Sequence, residues 1–237
     1  MLRIQEIKHR MSQGMTKPLL CHAENGYDYV VKGWSAGRKA LIAEWLAGCL
    51  GRELKLPIPP FSILSLDRAW AAFSAHADAI RLSNGPAFGS QWVPNAYEVL
   101  GSEIPKVPVD LRTMLLLFDW WICNPDRIWV GSGGNPNLLW LASEQGINVI
   151  DHNLAFQPGQ TEKFWEEHIF REDRSRWDDS FQATAASRLR SALSRLEEFW
   201  NAMPDEWTGD DCGVSLGWVR DLLSRFETNP DTFWGDR

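Results

Sequence analysis

Three polar side chains in the second half of the sequence are of the types that phosphoryl transfer requires. Asp126 and Asn137 lie within NPDRIWVGSGGNPNLLWL, residues 124–141, and Asp151 follows the apolar run INVI. In phosphoryl transfer one carboxylate orients and deprotonates the attacking hydroxyl, while an amide oxygen and a second carboxylate hold Mg²⁺ on the phosphates. We therefore expect Asp126 to act as the base and Asn137 and Asp151 to bind metal, with Asn135 as the alternative to Asn137.

These side chains need elements that bring them together. The preceding segment, LRTMLLLFDWWIC, is apolar on nearly all sides and predicts a buried helix with Asp110 as its N-cap. The runs NLLWLA and INVIDHNLAF predict two strands joined by SEQG, so that Asn137 and Asp151 meet at one end of a hairpin. Arg127 is expected to pair with Asp119, whose carboxylate otherwise lies in an apolar helix.

A lysine in an apolar strand supplies a further part of the pattern. In YDYVVKG the alternation of a strand places Val30 and Lys32 on the same face. A lysine on an inward face loses its hydration unless a carboxylate or a bound anion compensates. Glu44, on the helix predicted next, is the nearest suitable carboxylate, and protein kinases orient nucleotide phosphates with such a pair. An edge-strand lysine in water is the alternative.

The N-terminal part is predicted to consist mainly of short strands. LRIQEI alternates apolar and polar residues, and the segments around ENG predict a hairpin with its turn at Asn25 and Gly26. GRKALIAEWLAGCLGREL then has helical spacing, with Gly51 as its expected C-cap. The prolines of KLPIPPFSILSL end that helix before a further strand. A short helix at 67–82 and a strand in AFGSQWV complete this part.

The C-terminal part is predicted to be mainly helical, because apolar residues recur at helical spacing in 178–203 and 214–226. Most of the fourteen tryptophans, among them Trp218, occupy apolar positions of such segments and are expected in the core. The predicted fold class is α+β, with an antiparallel sheet and one key helix in residues 1–95 and a mainly helical region in 96–237.

Composition and charge disfavour several classes of protein. The formal net charge is −7, so the chain lacks the basic surface of a nucleic-acid-binding protein. No stretch approaches the roughly 20 apolar residues of a membrane span, and we expect no membrane partner. The four cysteines show neither CxxC spacing nor a disulfide framework, which indicates reduced thiols and a cytoplasmic location. The histidines lack the paired spacing of a zinc site.

Taken in order, these pieces resemble the HipA-like kinase family, a branch of the protein-kinase superfamily that includes bacterial toxin kinases. The matching pieces are SQGMTKP, YVVKG, AEWLAGCLGRELKLPIPP, NPDR, NPNLL and VIDHNLAF, within residues 10–157. Three features depart from the family pattern. The spacer RIWVGSGG is long, IDHN stands where other kinases have DFG, and the chain is short for a complete toxin kinase.

The resemblance implies a bilobal kinase fold, ATP and Mg²⁺ as cofactors, and transfer to a serine or threonine hydroxyl of a protein. It also implies that Lys32 contacts the phosphates beside Val30, in addition to the base and metal-binding roles assigned above. Two further nucleotide-binding segments follow from it, a phosphate loop at Ser12, Gln13, Gly14 and Thr16 and an adenine-binding segment at Phe88, Gly89 and Ser90.

Other functions stay open at the level of the sequence. The NPDR-to-asparagine arrangement also resembles the catalytic loop of phosphoinositide-type kinases, so a small molecule or lipid head group is an alternative substrate. A nucleotide-binding interaction module without catalysis is another alternative, although every required side chain is present. A toxin-type kinase would have an antitoxin or other regulatory partner. Autophosphorylation of Ser12 is a further hypothesis, because negative charge there would repel nucleotide phosphates.

Overall fold

A five-stranded barrel forms the N-terminal part of the protein. The computed structural model describes residues 1–11, 17–74, 76–130, 133–159, 161–209 and 212–235. The barrel strands are β1 (Leu2–Arg10), β2 (Leu19–Ala23), β3 (Asp28–Lys32), β4 (Phe61–Ser65) and β5 (Ala87–Gln91). Four pairings are antiparallel, as expected, but β1 pairs in parallel with β4, where Leu2 lies opposite Leu64. The expected antiparallel sheet is thus closed into a barrel by a long-range pairing that no local pattern predicts.

Strand alternation divides the barrel residues between two faces. The interior is filled by apolar side chains that include Ile4, Ile7, Leu19, Cys21, Tyr29, Val31 and Leu64. Since neighbouring residues on a strand point in opposite directions, Leu20, Val30 and Lys32 face outward. Helix α1 (Arg38–Glu53) packs against β5 and also against helices of the C-terminal part.

Helix α1 runs further than the sequence indicates. Its buried residues Leu41, Leu46 and Leu50 have helical spacing, and the helix ends at Glu53 with Leu54 as the C-cap. The expectation that Gly51 is the C-cap is wrong. Gly51 lies inside the helix, where an added Cβ would come within 3.1 Å of the Phe118 ring. Glycine at this position lets α1 approach the core closely.

The segment between β4 and the next long helix is more broken than predicted. The expected helix at 67–82 is two short helices, α2 (Arg68–Phe73) and α3 (Ala79–Leu82). Strand β5 ends at Gln91, and β6 (Tyr97–Glu98) adds to a separate small sheet.

Helix α4 (Val109–Trp121) is the buried helix predicted from LRTMLLLFDWWIC, and every residue from Thr113 to Trp121 is buried. Pro108 occupies the N-cap position, so the assignment of Asp110 as N-cap is wrong. Asp110 instead lies in the first turn, where a carboxylate interacts favourably with the positive end of the helix dipole.

Two hairpins follow α4. The first, which was not predicted, pairs β7 (Ile128–Val130) with β8 (Gly133–Asn135). The second pairs β9 (Leu138–Leu141) with β10 (Gly146–Val149), and Leu138 lies opposite Val149. This second hairpin confirms the prediction that the chain returns at SEQG.

Short helices complete the C-terminal part and share one hydrophobic core with α1 and α4. They are α5 (Thr161–Glu167), α6 (Asp179–Ser194), α7 (Leu196–Asn201), α8 (Asp205–Thr208), α9 (Leu216–Leu223), α10 (Arg225–Thr228) and α11 (Pro230–Trp234). The predicted helix at 178–203 is therefore divided at Arg195. Within the described ranges, no helix combines the length and apolar character needed to cross a membrane.

Tryptophans link these helices through their indole N–H groups. Trp120 donates to the carbonyl of Phe233, and Trp121 donates to that of Leu223, each at 2.8 Å. Both rings are buried, so each bond satisfies a polar group that would otherwise be costly. Trp218 is an exception, because it is 41% exposed and not in the core as expected.

Replacing Gly134 by alanine should destabilise the protein, because a Cβ there would lie 2.8 Å from the carbonyl carbon of Ile128 and 3.0 Å from Cα of Trp129. Backbone atoms cannot rotate away, so we expect the free energy of unfolding to fall by about 1–3 kcal/mol. In Gly146→Ala the new Cβ would meet only the Glu144 carbonyl, at 3.8 Å, and a change below about 0.5 kcal/mol is expected. Urea unfolding measures both, and equal stability of the two variants would contradict this account.

Candidate active site

Lys32 lies between two carboxylates that come from distant parts of the chain. Its Nζ donates to Oε1 of Glu44 at 2.5 Å and to Oδ1 of Asp151 at 2.7 Å. The side chains of Lys32 and Glu44 are 8% and 3% exposed, whereas that of Asp151 is 25% exposed. The expected contact between Lys32 and Glu44 is present. The contact with Asp151, which was expected only as a metal ligand, was not foreseen.

The charges in this triad depend on one another. Burial disfavours the charged form of Lys32, but the two carboxylates outweigh it and raise the pKa of the ammonium group. Burial raises the pKa of the Glu44 carboxyl in spite of the adjacent lysine. Burial acts to raise the pKa of the more exposed Asp151 as well, but the positive charge of Lys32 outweighs this effect, and the pKa of Asp151 is lowered. Lys32 and Asp151 are thus held as ions, and the partly exposed Asp151 carboxylate is accessible to a cation.

The second oxygen of Glu44 connects α1 to the chain after β10. Oε2 of Glu44 accepts a hydrogen bond from the backbone N–H of His152 at 3.1 Å. Asp151, the residue before it, has a φ of 56°, in the left-handed region that few non-glycine residues adopt. One glutamate therefore orients both Lys32 and the backbone next to Asp151.

Asp126 lies at the start of the loop after α4 and is half-buried. Its Oδ2 accepts hydrogen bonds from the amide nitrogens of Asn137 at 3.1 Å and of Asn135 at 3.2 Å. Burial raises the pKa of the Asp126 carboxyl, the bond from Asn137 opposes this, and the negative charge of Asp151 raises the pKa further. Because each asparagine uses its amide nitrogen here, its amide oxygen stays available as an acceptor or ligand.

The structure distinguishes the two asparagines. Asn137 is 8% exposed and its carbonyl accepts from the N–H of Ile150 at 3.1 Å, which places it beside Asp151 at the open end of the β9–β10 hairpin. Asn135 is exposed and lies on β8 opposite Ile128. The geometry therefore favours Asn137 as the partner of Asp151.

A fully buried arginine holds this loop in place. Arg127 Nε donates to Asp119 Oδ2 at 2.6 Å, and both side chains are 0% exposed. Its Nη1 donates to the carbonyls of Pro136 and Asn137 at 2.9 and 2.8 Å. The predicted pair of Arg127 and Asp119 is confirmed. Through it, the carboxylate of α4 fixes the backbone that carries Asn137.

Two buried histidines complete the network around Arg127, and sequence analysis missed both. His168 Nε2 lies 3.1 Å from Asp119 Oδ2, and its Nδ1 accepts from the N–H of Phe170 at 3.1 Å. His152 Nε2 lies 3.4 Å from Arg127 Nη2. Burial lowers the pKa of His152 to about 3, with the charge of Arg127 adding to the effect, and burial also lowers the pKa of His168. Both rings are therefore neutral near pH 7, in a form whose free nitrogen accepts a hydrogen bond.

The expected nucleotide-contacting residues on the barrel do not all share one face. Val30 lies opposite Ser90 on the outer face, and Phe88 lies there opposite Lys32. Gly89 faces the barrel interior, and its backbone lies between two paired strands. Sequence analysis missed Leu20, an outward residue of β2 that lies opposite Val30 and is 7% exposed. The expected phosphate-loop residues, Ser12, Gln13, Gly14 and Thr16, lie outside the described residues.

The donor set at the end of the β9–β10 hairpin fits Mg²⁺. The amide oxygen of Asn137 and the carboxylate of Asp151 are hard oxygen ligands of the kind that this ion prefers, and phosphate oxygens or water would fill its remaining positions. In the part of the chain that the structure describes, no group of three or more His, Cys, Asp or Glu side chains is placed to hold a metal ion. The described residues therefore give no support to a metal site built only from His, Cys, Asp and Glu side chains.

Comparison with known proteins agrees with the geometry. A strand lysine bridged to a helix glutamate, with an aspartate loop and a second aspartate opposite it, is the arrangement of kinase-type phosphotransferases. Residues 4–237 match the HipA-like kinase family, and the chain belongs to that family. The crystal structure of a Helicobacter pylori proinflammatory kinase, CtkA, is similar in fold, with a TM-score of 0.57 and 10% identity over 96% of this chain and 92% of that chain. No curated protein matches the sequence.

Acidification should destabilise the protein through its buried neutral histidines. His152 stays neutral in the folded state down to a pKa of about 3, whereas the unfolded chain protonates it near 6.5. Between these values the unfolded state binds more protons, so the free energy of unfolding should fall with falling pH, by up to roughly 1 kcal/mol per pH unit for each such histidine. Urea unfolding across this range measures the slope.

His152→Gln should reduce this slope, and the matched control His9→Gln should not, because His9 is exposed. A free energy of unfolding that is the same at pH about 6.5 and about 5 in the unmodified protein would contradict the assignment of buried neutral histidines.

Proposed function

We propose that this chain is an ATP- and Mg²⁺-dependent kinase that transfers a phosphoryl group to a serine or threonine hydroxyl of a protein. The observation that carries the proposal is the bridge from Lys32 to Glu44 and Asp151, beside the loop of Asp126 and Asn137. With two of its three N–H donors bound to carboxylates, the buried Lys32 ammonium keeps one donor at a fixed position for an anion. Positioning of the phosphates is the main requirement of phosphoryl transfer.

The nucleotide lies between the barrel and the helical part, in a bilobal arrangement with lobes at 1–95 and 96–237. The outward side chains of Leu20, Val30 and Ser90 support an adenine position on this face of the barrel. Because the backbone of β5 is paired on both sides, the hydrogen bonds to adenine come from the segment that follows Gln91.

In the reaction, the substrate hydroxyl attacks the γ-phosphorus of ATP and loses its proton to the Asp126 carboxylate. The new O–P bond forms as the bond between the γ-phosphorus and the β,γ-bridging oxygen breaks, and ADP leaves. A raised pKa makes the Asp126 carboxylate a stronger base than that of an ordinary aspartate. Asn137 and Asn135 orient its carboxylate, and Lys32 donates to the phosphate oxygens while Glu44 holds it in position.

Asn137 and Asp151 would hold Mg²⁺. When bound, the ion neutralises charge that develops on the phosphate oxygens. The Asn137 carbonyl accepts hydrogen bonds from the Arg127 guanidinium and from the Ile150 N–H. These two bonds hold the Asn137 backbone in its left-handed conformation, with φ at 49°. Membership of the HipA-like kinase family, which includes bacterial toxin kinases, supports a protein substrate.

The decisive experiment is transfer from radiolabelled ATP to a panel of proteins, phospholipid vesicles and small metabolites. We expect label on serine or threonine of protein, and a loss of about 100-fold or more in Asp126→Asn, which removes the base but preserves size. Asp110→Asn, an exposed aspartate of α4, is the matched control and should retain full activity. Label on lipid or metabolite alone would exclude a protein substrate, and absence of transfer despite ATP binding would exclude catalysis.

A pair of variants tests which asparagine binds the metal. Asn137→Ala should raise the Mg²⁺ concentration required for half-maximal transfer by about tenfold or more, because it removes the amide oxygen proposed to bind the ion together with Asp151. Asn135→Ala removes only a hydrogen bond to Asp126 and should raise that concentration much less. The assignment would be reversed if Asn135→Ala had the larger effect on Mg²⁺ dependence.

A further inference from the structure

A pocket of about 200 Å³ opens at one end of the barrel, on the other side of β3 from the candidate active site. Its apolar floor consists of Leu19 and Val31 from the barrel interior and Leu82 from α3. Because successive residues of a strand face opposite sides, Val31 lines this pocket while Lys32 points toward Glu44. The pocket therefore opens on the opposite face of β3 from Lys32, and Lys17 on its rim directly follows Thr16 of the expected phosphate loop.

Basic side chains form the rim of the pocket, in a protein whose overall charge is negative. Arg10, Lys17 and Arg81 lie there together with one carboxylate, Asp78. Asp78 is paired with Arg10, whose Nε donates to Oδ2 at 3.0 Å, and a second bond joins Nη2 to Oδ1. This pair orients the arginine and cancels its charge.

The other two basic residues of the rim differ from Arg10 in their surroundings. Among the described residues, neither Lys17 nor Arg81 has a carboxylate within ion-pair distance. Two positive charges therefore face the pocket on a chain with a net charge of −7. Both side chains are exposed, so they can reorient to contact an anion that enters the pocket.

The size and lining of the pocket indicate the kind of anion. Arginine and lysine bind phosphate oxygens through charge-assisted hydrogen bonds, and the Ser35 hydroxyl at the rim adds a neutral donor. The volume is below the roughly 300–1,000 Å³ of pockets for drug-sized ligands, so the ligand is small. We propose that this pocket binds a phosphate group, either as inorganic phosphate or as part of a small phosphorylated metabolite.

Calorimetric titration of the full chain with inorganic phosphate, and separately with glycerol 3-phosphate, tests the proposal without any need for kinase activity. At least one of these two probes should bind, and the tighter one identifies the source of the phosphate group. Arg81→Gln and Lys17→Gln should each weaken that binding by about tenfold, because each removes a charge-assisted hydrogen bond. Lys55→Gln, an exposed lysine at the end of α1, is the matched control and should bind as the unmodified protein does.

Nuclear magnetic resonance separates this pocket from the candidate active site. On addition of phosphate, the amide signals of Ser35 and Leu82 should shift, with smaller changes at Asp151 and Asn137. Failure of both probes to bind would overturn the proposal. So would binding that is unchanged in Arg81→Gln and Lys17→Gln, or amide shifts confined to the active-site residues. None of these results depends on whether the chain phosphorylates a protein.

Discussion

The structure depends on the charge of one buried lysine. Lys32 is 7% exposed, and a charged ammonium group in that position is unfavourable unless carboxylates surround it. Glu44 comes from the helix that covers the barrel, and Asp151 comes from the end of a hairpin more than a hundred residues later in the chain. The need to compensate a single charge thus draws three separate elements together. The same arrangement leaves donors and negative charge where a nucleotide and its metal ion would lie.

A second buried network supports the first. Asp119, Arg127 and His168 are buried at the base of the catalytic loop, and removal of one partner from a buried ion pair typically costs about 3–5 kcal/mol. His152 belongs to both networks, since its backbone N–H donates to Glu44 and its ring lies beside Arg127. The loop that carries the candidate base and the hairpin that carries the candidate metal ligands are therefore held by connected polar contacts.

The phosphate pocket uses the opposite face of the same strand. Val31 lines the barrel interior and the pocket, while the next residue, Lys32, belongs to the candidate active site. A barrel can present two chemically different surfaces because strand alternation separates neighbouring side chains. A flat sheet that was covered on one face by α1 would have offered the second surface only to solvent.

Much of the candidate site followed from local patterns. A lysine in a strand, a glutamate on the next helix and an aspartate after a buried helix are recognisable because strand and helix periodicities are local properties. The pair of Arg127 and Asp119 was also predictable, since an aspartate inside an apolar helix requires a partner. The closed barrel was not predictable in this way, because the pairing of β1 with β4 joins segments about sixty residues apart.

By itself, the sequence determined the types of side chain available for phosphoryl transfer and the elements that carry them. Only the tertiary structure decided that Asp151 shares Lys32 with Glu44, that Asn137 is hydrogen-bonded to the residue before Asp151, and that Gly89 faces away from the site. The physical reason is that periodicity assigns a residue to a face of its own element. Which faces meet is decided by burial and charge compensation over the whole chain.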